Sequence, residues 1–169
     1  MSHTSSRSSR LARLAAGVAV TAAATGATLL GAAPAYAQAA STTASTSGGT
    51  LNVVGTSFGN IITADGGNGV ISLSNLTGAI TANGPGCKQL GAVVRCTGVS
   101  SISFSGLGGD DKFDNRTSTP SSQRGGSGND ILRGGSGNDR LIGGLGSDSA
   151  AGGNGTDTCV AEGESSCEL

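Results

Sequence analysis

The chain has 169 residues, 31 of them Gly, with 2% aromatic residues, no Trp and a formal net charge of −1. So little large apolar surface argues against a protein held together by a wide hydrophobic core alone. A balance this close to neutral argues against nucleic acid as a partner.

At the N-terminus, Arg7, Arg10 and Arg13 precede an Ala-rich apolar run over 14–33, and Ala35-Tyr36-Ala37 supplies a small-residue cleavage triplet. This order predicts a secretory signal peptide over 1–37, cleaved after Ala37. A membrane anchor is the alternative reading, because the run approaches the length of a short span. Small residues dominate it, however, and Pro34 breaks it. Cleavage would remove His3, Tyr36 and three Arg, leaving seven Lys and Arg against 11 Asp and Glu, a formal −4. The expected location is therefore extracellular, with no stable membrane insertion after cleavage and no nucleic acid bound.

Residues 38–49, QAASTTASTSGG, are small and polar without periodicity and predict a disordered spacer. From about Thr50 to Phe104 short β-rich runs alternate with turn residues, at Leu51–Val54, Ile61–Thr63, Val70–Leu73, Ala79–Thr81, Ala92–Cys96 and Ile102–Phe104. Residues 50–104 thus form a β-rich region of degenerate coils. Within it, Gly55 to Ile62 reads GTSFGNII, a worn copy of the pattern met further on, with Asn60 where an acid would stand. Gly106 to Phe113, GLGGDDKF, is a better copy and is read with Asp110 at the acid position. Asp114 to Arg124 is then expected to be an enlarged turn. Asn75-Leu76-Thr77 and Asn115-Arg116-Thr117 match the N-glycosylation pattern, which is short enough to arise by chance.

Four nonapeptides follow in unbroken register, GGSGNDILR, GGSGNDRLI, GGLGSDSAA and GGNGTDTCV, each with Gly at positions one, two and four and Asp at position six. Asp130, Asp139, Asp148 and Asp157 recur after Gly-rich turns and would repel one another in stacked rows unless a cation lay between them. A flexible Gly-rich linker would not keep this register. The segment resembles the RTX, or hemolysin-type, calcium-binding nonapeptide repeat. The family's longer pattern is met by Asp130, Leu132, Gly137, Asp139, Leu141, Gly143, Gly144 and Asp148. The fold expected from repeat and resemblance together is all-β, a short right-handed parallel β-roll or β-helix solenoid over 105–160.

The residues support the same reading without the name. Glycines let the backbone turn its carbonyls inward, and positions seven to nine form a short strand with position eight facing inward, which places Leu132 and Leu141 in the interior. Two nonapeptides close one coil, so a turn lies against the turn after next. Gly125–Asp130 should stack on Gly143–Asp148, and Gly134–Asp139 on Gly152–Asp157. Two Ca²⁺ sites are expected, from Asp130 with Asp148 and Asp139 with Asp157. Carbonyls of Gly126, Gly128, Gly144 and Gly146 would complete the first, and those of Gly135, Gly137, Gly153 and Gly155 the second. Asp110 with Asp130 offers a third. All-oxygen ligation of loose geometry favours calcium.

The four cysteines form two close pairs, and short loops favour the local bridges Cys87–Cys96 and Cys159–Cys167 in an exported chain, the second tying down the tail at 161–169. A Cys₄ zinc site is the competing reading, without the usual spacing. The function expected is a secreted calcium-binding protein that folds on binding, since the repeats bury too little to offset chain entropy. No enzyme is expected, because without His3 the chain has neither H-E-x-x-H nor a Ser-His-Asp triad. Asp110, Asp111 and Asp114 are the one cluster that could act on a sugar. An adhesive cell-envelope module is the third reading, its partner unspecified.

Overall fold

The computed structural model describes residues 41–168, so the expected signal peptide and the start of the spacer lie outside the described residues. Every regular element described is a strand: β1 (Thr42–Ser47), β2 (Thr50–Val54), β3 (Ile61–Gly67), β4 (Val70–Asn75), β5 (Ile80–Ala82), β6 (Cys87–Leu90), β7 (Val93–Thr97), β8 (Ser101–Ser105), β9 (Lys112–Asn115), β10 (Ser121–Ser127), β11 (Ile131–Gly135), β12 (Arg140–Leu145), β13 (Ser149–Gly153), β14 (Thr158–Val160) and β15 (Gly163–Ser165). The all-β class is as expected, and among the described residues there is no helix.

The strands form a seven-stranded sheet in the order β14-β12-β10-β8-β2-β1-β5 and an eight-stranded sheet in the order β15-β13-β11-β9-β3-β4-β7-β6. From β8 onward the chain deals strands to the two sheets alternately, and every pairing there is parallel. β2 and β3 extend the parallel part of each sheet by pairing with β8 and β9.

The N-terminal half, expected as degenerate coils, contains antiparallel pairs, and both sheets are mixed. β1 with β2, β3 with β4, β4 with β7 and β6 with β7 are antiparallel. For β1–β2 and β3–β4 the cause is turn length. Gly48 and Gly49 at φ 57° and 81°, and Asn68 and Gly69 at φ 52° and 74°, make two-residue turns of the kind that returns a strand directly beside its predecessor. A parallel neighbour would need a crossover far longer than two residues.

The expected spacer over 38–49 is also corrected, since Thr42–Ser47 is a paired strand. Its Thr-rich sequence suits an extended backbone, Ala44 is fully buried, and the buried Thr42 hydroxyl donates to Asn60 Oδ1 at 2.8 Å. Likewise, 114–124 is not one enlarged turn: β9 ends at Asn115 and β10 begins at Ser121, leaving 116–120 as the connection.

Two columns of register partners run through the core. Val53, Phe104, Gln123, Leu141 and Cys159 align in one sheet. Ile62, Phe113, Leu132 and Ala150 align in the other. All are buried, Leu132 and Leu141 fully so, as position eight requires. Phe104 and Phe113 stack between the sheets with ring centroids 4.4 Å apart. Toward the C-terminus the columns shrink to Ala150 and Cys159, where apolar burial contributes least. Both local disulfides, Cys87–Cys96 and Cys159–Cys167, are present, and the second ties the thinnest end of the core to the tail.

Candidate metal centre

The parallel register stacks the Gly-rich turns at one end of each strand into two rows. In the first row Asn60, Asp111, Asp130, Asp148 and Glu162 lie one above another. Each backbone N–H donates to the side chain of the next: Asn60 N to Asp111 Oδ1 at 2.7 Å, Asp111 N to Asp130 Oδ1 at 2.8 Å, Asp130 N to Asp148 Oδ1 at 2.9 Å and Asp148 N to Glu162 Oε2 at 2.8 Å. In the second row Ser121 N donates to Asp139 Oδ1 at 2.7 Å, Asp139 N to Asp157 Oδ1 at 2.8 Å, and Asp157 N to Glu168 Oε2. Turns 125–130 and 143–148 therefore stack, as do 134–139 and 152–157, each pair separated by 18 residues.

The ladder uses one oxygen of each Asp and leaves the other. Oδ2 of Asp111, Asp130, Asp139, Asp148 and Asp157 is buried and accepts no hydrogen bond from any described residue. A buried carboxylate oxygen without a donor is costly, and here the cost recurs at each turn in step with the repeat. The first Gly of each turn makes room for it. A Cβ on Gly134 would lie 2.5 Å from both Asp139 Oδ2 and the Gly152 carbonyl of the next turn. At Gly106 the same two neighbours are Asp111 Oδ2 and the Gly125 carbonyl. Each such cradle brings together an orphaned carboxylate oxygen and a carbonyl from the following turn.

Burial pushes the Asp130 and Asp139 carboxyls up to about 6, against the hydrogen bonds they accept, which pull the other way. Burial also raises Asp111. These groups resist ionisation until something positive offsets their desolvation. No group of three or more His, Cys, Asp and Glu side chains converges among the described residues. An ion between two turns would thus meet two carboxylates and take its remaining ligands from backbone oxygen, a donor set that suits Ca²⁺ and not a soft metal.

Four of the five expected acids stand in the rows, and the fifth is displaced by one residue. Asp130, Asp139, Asp148 and Asp157 occupy the rows. Asp110 does not; Asp111 does, because Gly106 aligns with Gly125 and Leu107, at φ 75°, stands where the repeat has its second Gly. Asp110 falls at position five, exposed, and accepts the Asn129 N–H at 2.8 Å. Asn129 and Asn138 do the same for Ser147 N–H and Thr156 N–H, so position five forms an outer ladder running opposite to the acidic one. Asp114 pairs with Arg116 Nε at 3.0 Å, so Asp110, Asp111 and Asp114 serve three separate structural ends. The carbonyls of Gly126, Gly128, Gly135 and Gly137 are directed along the stack, each to within contact of where a Cβ would stand on Gly144, Gly146, Gly153 or Gly155. The first-position carbonyls of Gly125 and Gly152, not among the expected ligands, border the same space as Oδ2 of Asp111 and Asp139.

The first row begins at the Asn60 amide, and the second, which begins at Ser121, has the Asn115 amide in the turn that leads into it. Asn60 Nδ2 donates to Phe58 O at 2.6 Å and Asp111 Oδ1 at 2.9 Å. Asn115 Nδ2 donates to Thr119 O at 3.0 Å and Gly134 O at 2.6 Å. These neutral side chains satisfy their neighbours by donating hydrogen bonds and bury no charge that an ion would have to offset. The side-chain oxygen of Asn115 accepts from Thr117, so its N-x-T motif builds a turn and is buried. Asn60→Asp is expected to leave a further orphaned oxygen, lowering the calcium-free melting temperature while adding one bound ion in calcium; equilibrium dialysis beside a thermal melt checks both.

Residues 124–159 match the family model of the RTX calcium-binding nonapeptide repeat, in four copies. No curated protein and no solved structure gave a match. The periodic acids, the glycine cradles and this match agree in giving residues 124–159 the pattern of the RTX calcium-binding nonapeptide repeat.

Proposed function

We propose that this is a secreted calcium-binding protein whose stacked turns take Ca²⁺ between successive carboxylates and whose repeats gain their stability from the ions. The observation that carries the reading is the set of five buried Asp Oδ2 atoms that accept no hydrogen bond from any described residue. One divalent cation between two turns would satisfy two such charges and draw on carbonyls already held in place, at about 2.3–2.6 Å. The intervals Asp130–Asp148 and Asp139–Asp157 are the two principal sites, and Asp111–Asp130 is the third. The parallel part is read as a β-roll solenoid wound two turns to the coil, with Asn60 and Asn115 closing its N-terminal edge. Two disulfides and the Ala-rich N-terminal segment support export. Calcium in the extracellular range, about 10⁻³ M, would then load sites of the modest affinity common in such modules. A binding role without catalysis fits the use of every acid of the Asp110, Asp111 and Asp114 cluster in structure.

Isothermal titration calorimetry with calcium and, separately, magnesium tests this. Saturable uptake of at least two Ca²⁺ per chain, with far weaker heats for the smaller and more strongly hydrated Mg²⁺, is the expected result. Equal or absent heats for both ions would remove the reading.

A further inference from the structure

The nonapeptides end at Val160, yet the chain beyond them rebuilds the same cradle. At Gly134 the space a Cβ would fill is bounded by Asp139 Oδ2 and by the first-position carbonyl of the next turn, Gly152. At Gly152 that space is bounded by Asp157 Oδ2 and by the carbonyl of Ser166, a residue of the tail. The acid that follows is also replaced. Asp139 N–H donates to Asp157 Oδ1, and Asp157 N–H donates to Glu168 Oε2. Even the backbone bond continues, with Thr158 N donating to Asp139 O at 2.8 Å and Glu168 N donating to Asp157 O at 2.7 Å. Asp157 is 1% exposed, and its Oδ2 accepts no hydrogen bond from any described residue.

We infer that the tail completes a further divalent-cation site, formed by Asp157 Oδ2, the Ser166 carbonyl and the Glu168 carboxylate, with calcium as its ligand. The inference rests on the calcium reading above and extends it to residues outside the repeat. Its chemistry is that of the neighbouring interval: two carboxylates offset one divalent charge, and a backbone carbonyl stands beside them. The longer Glu side chain spans the distance left because the tail has no Gly-rich turn of its own. What holds Ser166 and Glu168 in place is the residue between them, Cys167, bridged to Cys159 in the core column. The same bridge thereby ties this ion to the oxidised state of the protein, since reduction frees both ligands from the stack together.

Native mass spectrometry of the calcium-loaded full chain counts the ions. Glu168→Gln keeps an acceptor for the Asp157 N–H and removes only the charge, so it is expected to lose one Ca²⁺ with an unchanged far-UV spectrum. The paired replacement Cys159→Ser/Cys167→Ser should lose the same single ion, and Glu164→Gln, also in the tail, should lose none. A Glu168→Gln protein that keeps the full count and affinities, or that loses every ion, overturns the tail site while leaving the calcium reading intact. A wild-type protein that takes up no calcium removes both.

Discussion

Chelating calcium is expected to lower the melting temperature at pH 7.5 by roughly 10 °C or more, measured by circular dichroism, with loss of β signal from the repeats first. At about 10 mM calcium, sites with Kd of about 10⁻³ to 10⁻⁴ M each stabilise by about 1.4–2.7 kcal/mol. Two or three ions thus contribute roughly 3–8 kcal/mol, at a few degrees per kcal/mol for a domain of this size. The effect has a pH signature. In the metal-free fold burial pushes the Asp130 and Asp139 carboxyls up from 3.8 to about 6. Their protonated forms favour that fold, so this contribution is complete below pH about 4 and is lost as pH rises through about 6. Without calcium the protein should therefore be more stable at pH 4.5 than at 7.5. The increment from calcium should run the other way, because the ion must displace those protons. Identical melts with and without calcium at pH 7.5 would contradict the account.

The second large effect separates the acid's two jobs. Asp130 sits in mid-row, its Oδ1 accepting Asp111 N–H and its own N–H donating to Asp148 Oδ1. Asp130→Ala is expected to abolish the two intervals it borders and to leave the buried Asp111 N–H without its acceptor, a further loss of about 1–3 kcal/mol. Asp130→Asn should also lose calcium, but with the opposite effect on the metal-free protein. Its Oδ1 can keep the Asp111 N–H that Asp130 Oδ1 accepts, and its Nδ2 can donate to a turn carbonyl as Asn60 Nδ2 does to Phe58 O. It removes a buried charge, so in chelator Asp130→Asn should melt above wild type and Asp130→Ala below it. Urea unfolding in calcium and in chelator measures both; an Asn variant no more stable than wild type in chelator would show that the buried carboxylate carries no cost.

Much of this site could be read from the residues alone. Gly at positions one, two and four with Asp at six determines where the turns lie, and position eight places Leu132 and Leu141 inside. The shift from Asp110 to Asp111 was hidden because Leu107 takes a left-handed conformation normally reserved for glycine, so the turn keeps its shape without its spelling. The Glu162 and Glu168 ends of the rows carry no motif; only the folded tail brings them to the ladder. The mixed sheets did have a signal, in Gly48-Gly49 and Asn68-Gly69, whose preference for tight primed turns predicts hairpins. β1 was obscured by composition, since Thr, Ser and Ala make a disordered chain as readily as a strand until Ala44 finds the core.

The most direct test of the central claim is anomalous diffraction from crystals grown in calcium. Peaks are expected between turns 125–130 and 143–148 and between 134–139 and 152–157, within about 2.6 Å of the Asp Oδ2 atoms. Calcium found only on the outer surface, with hydrogen-bond donors or ordered water meeting those oxygens, would contradict it.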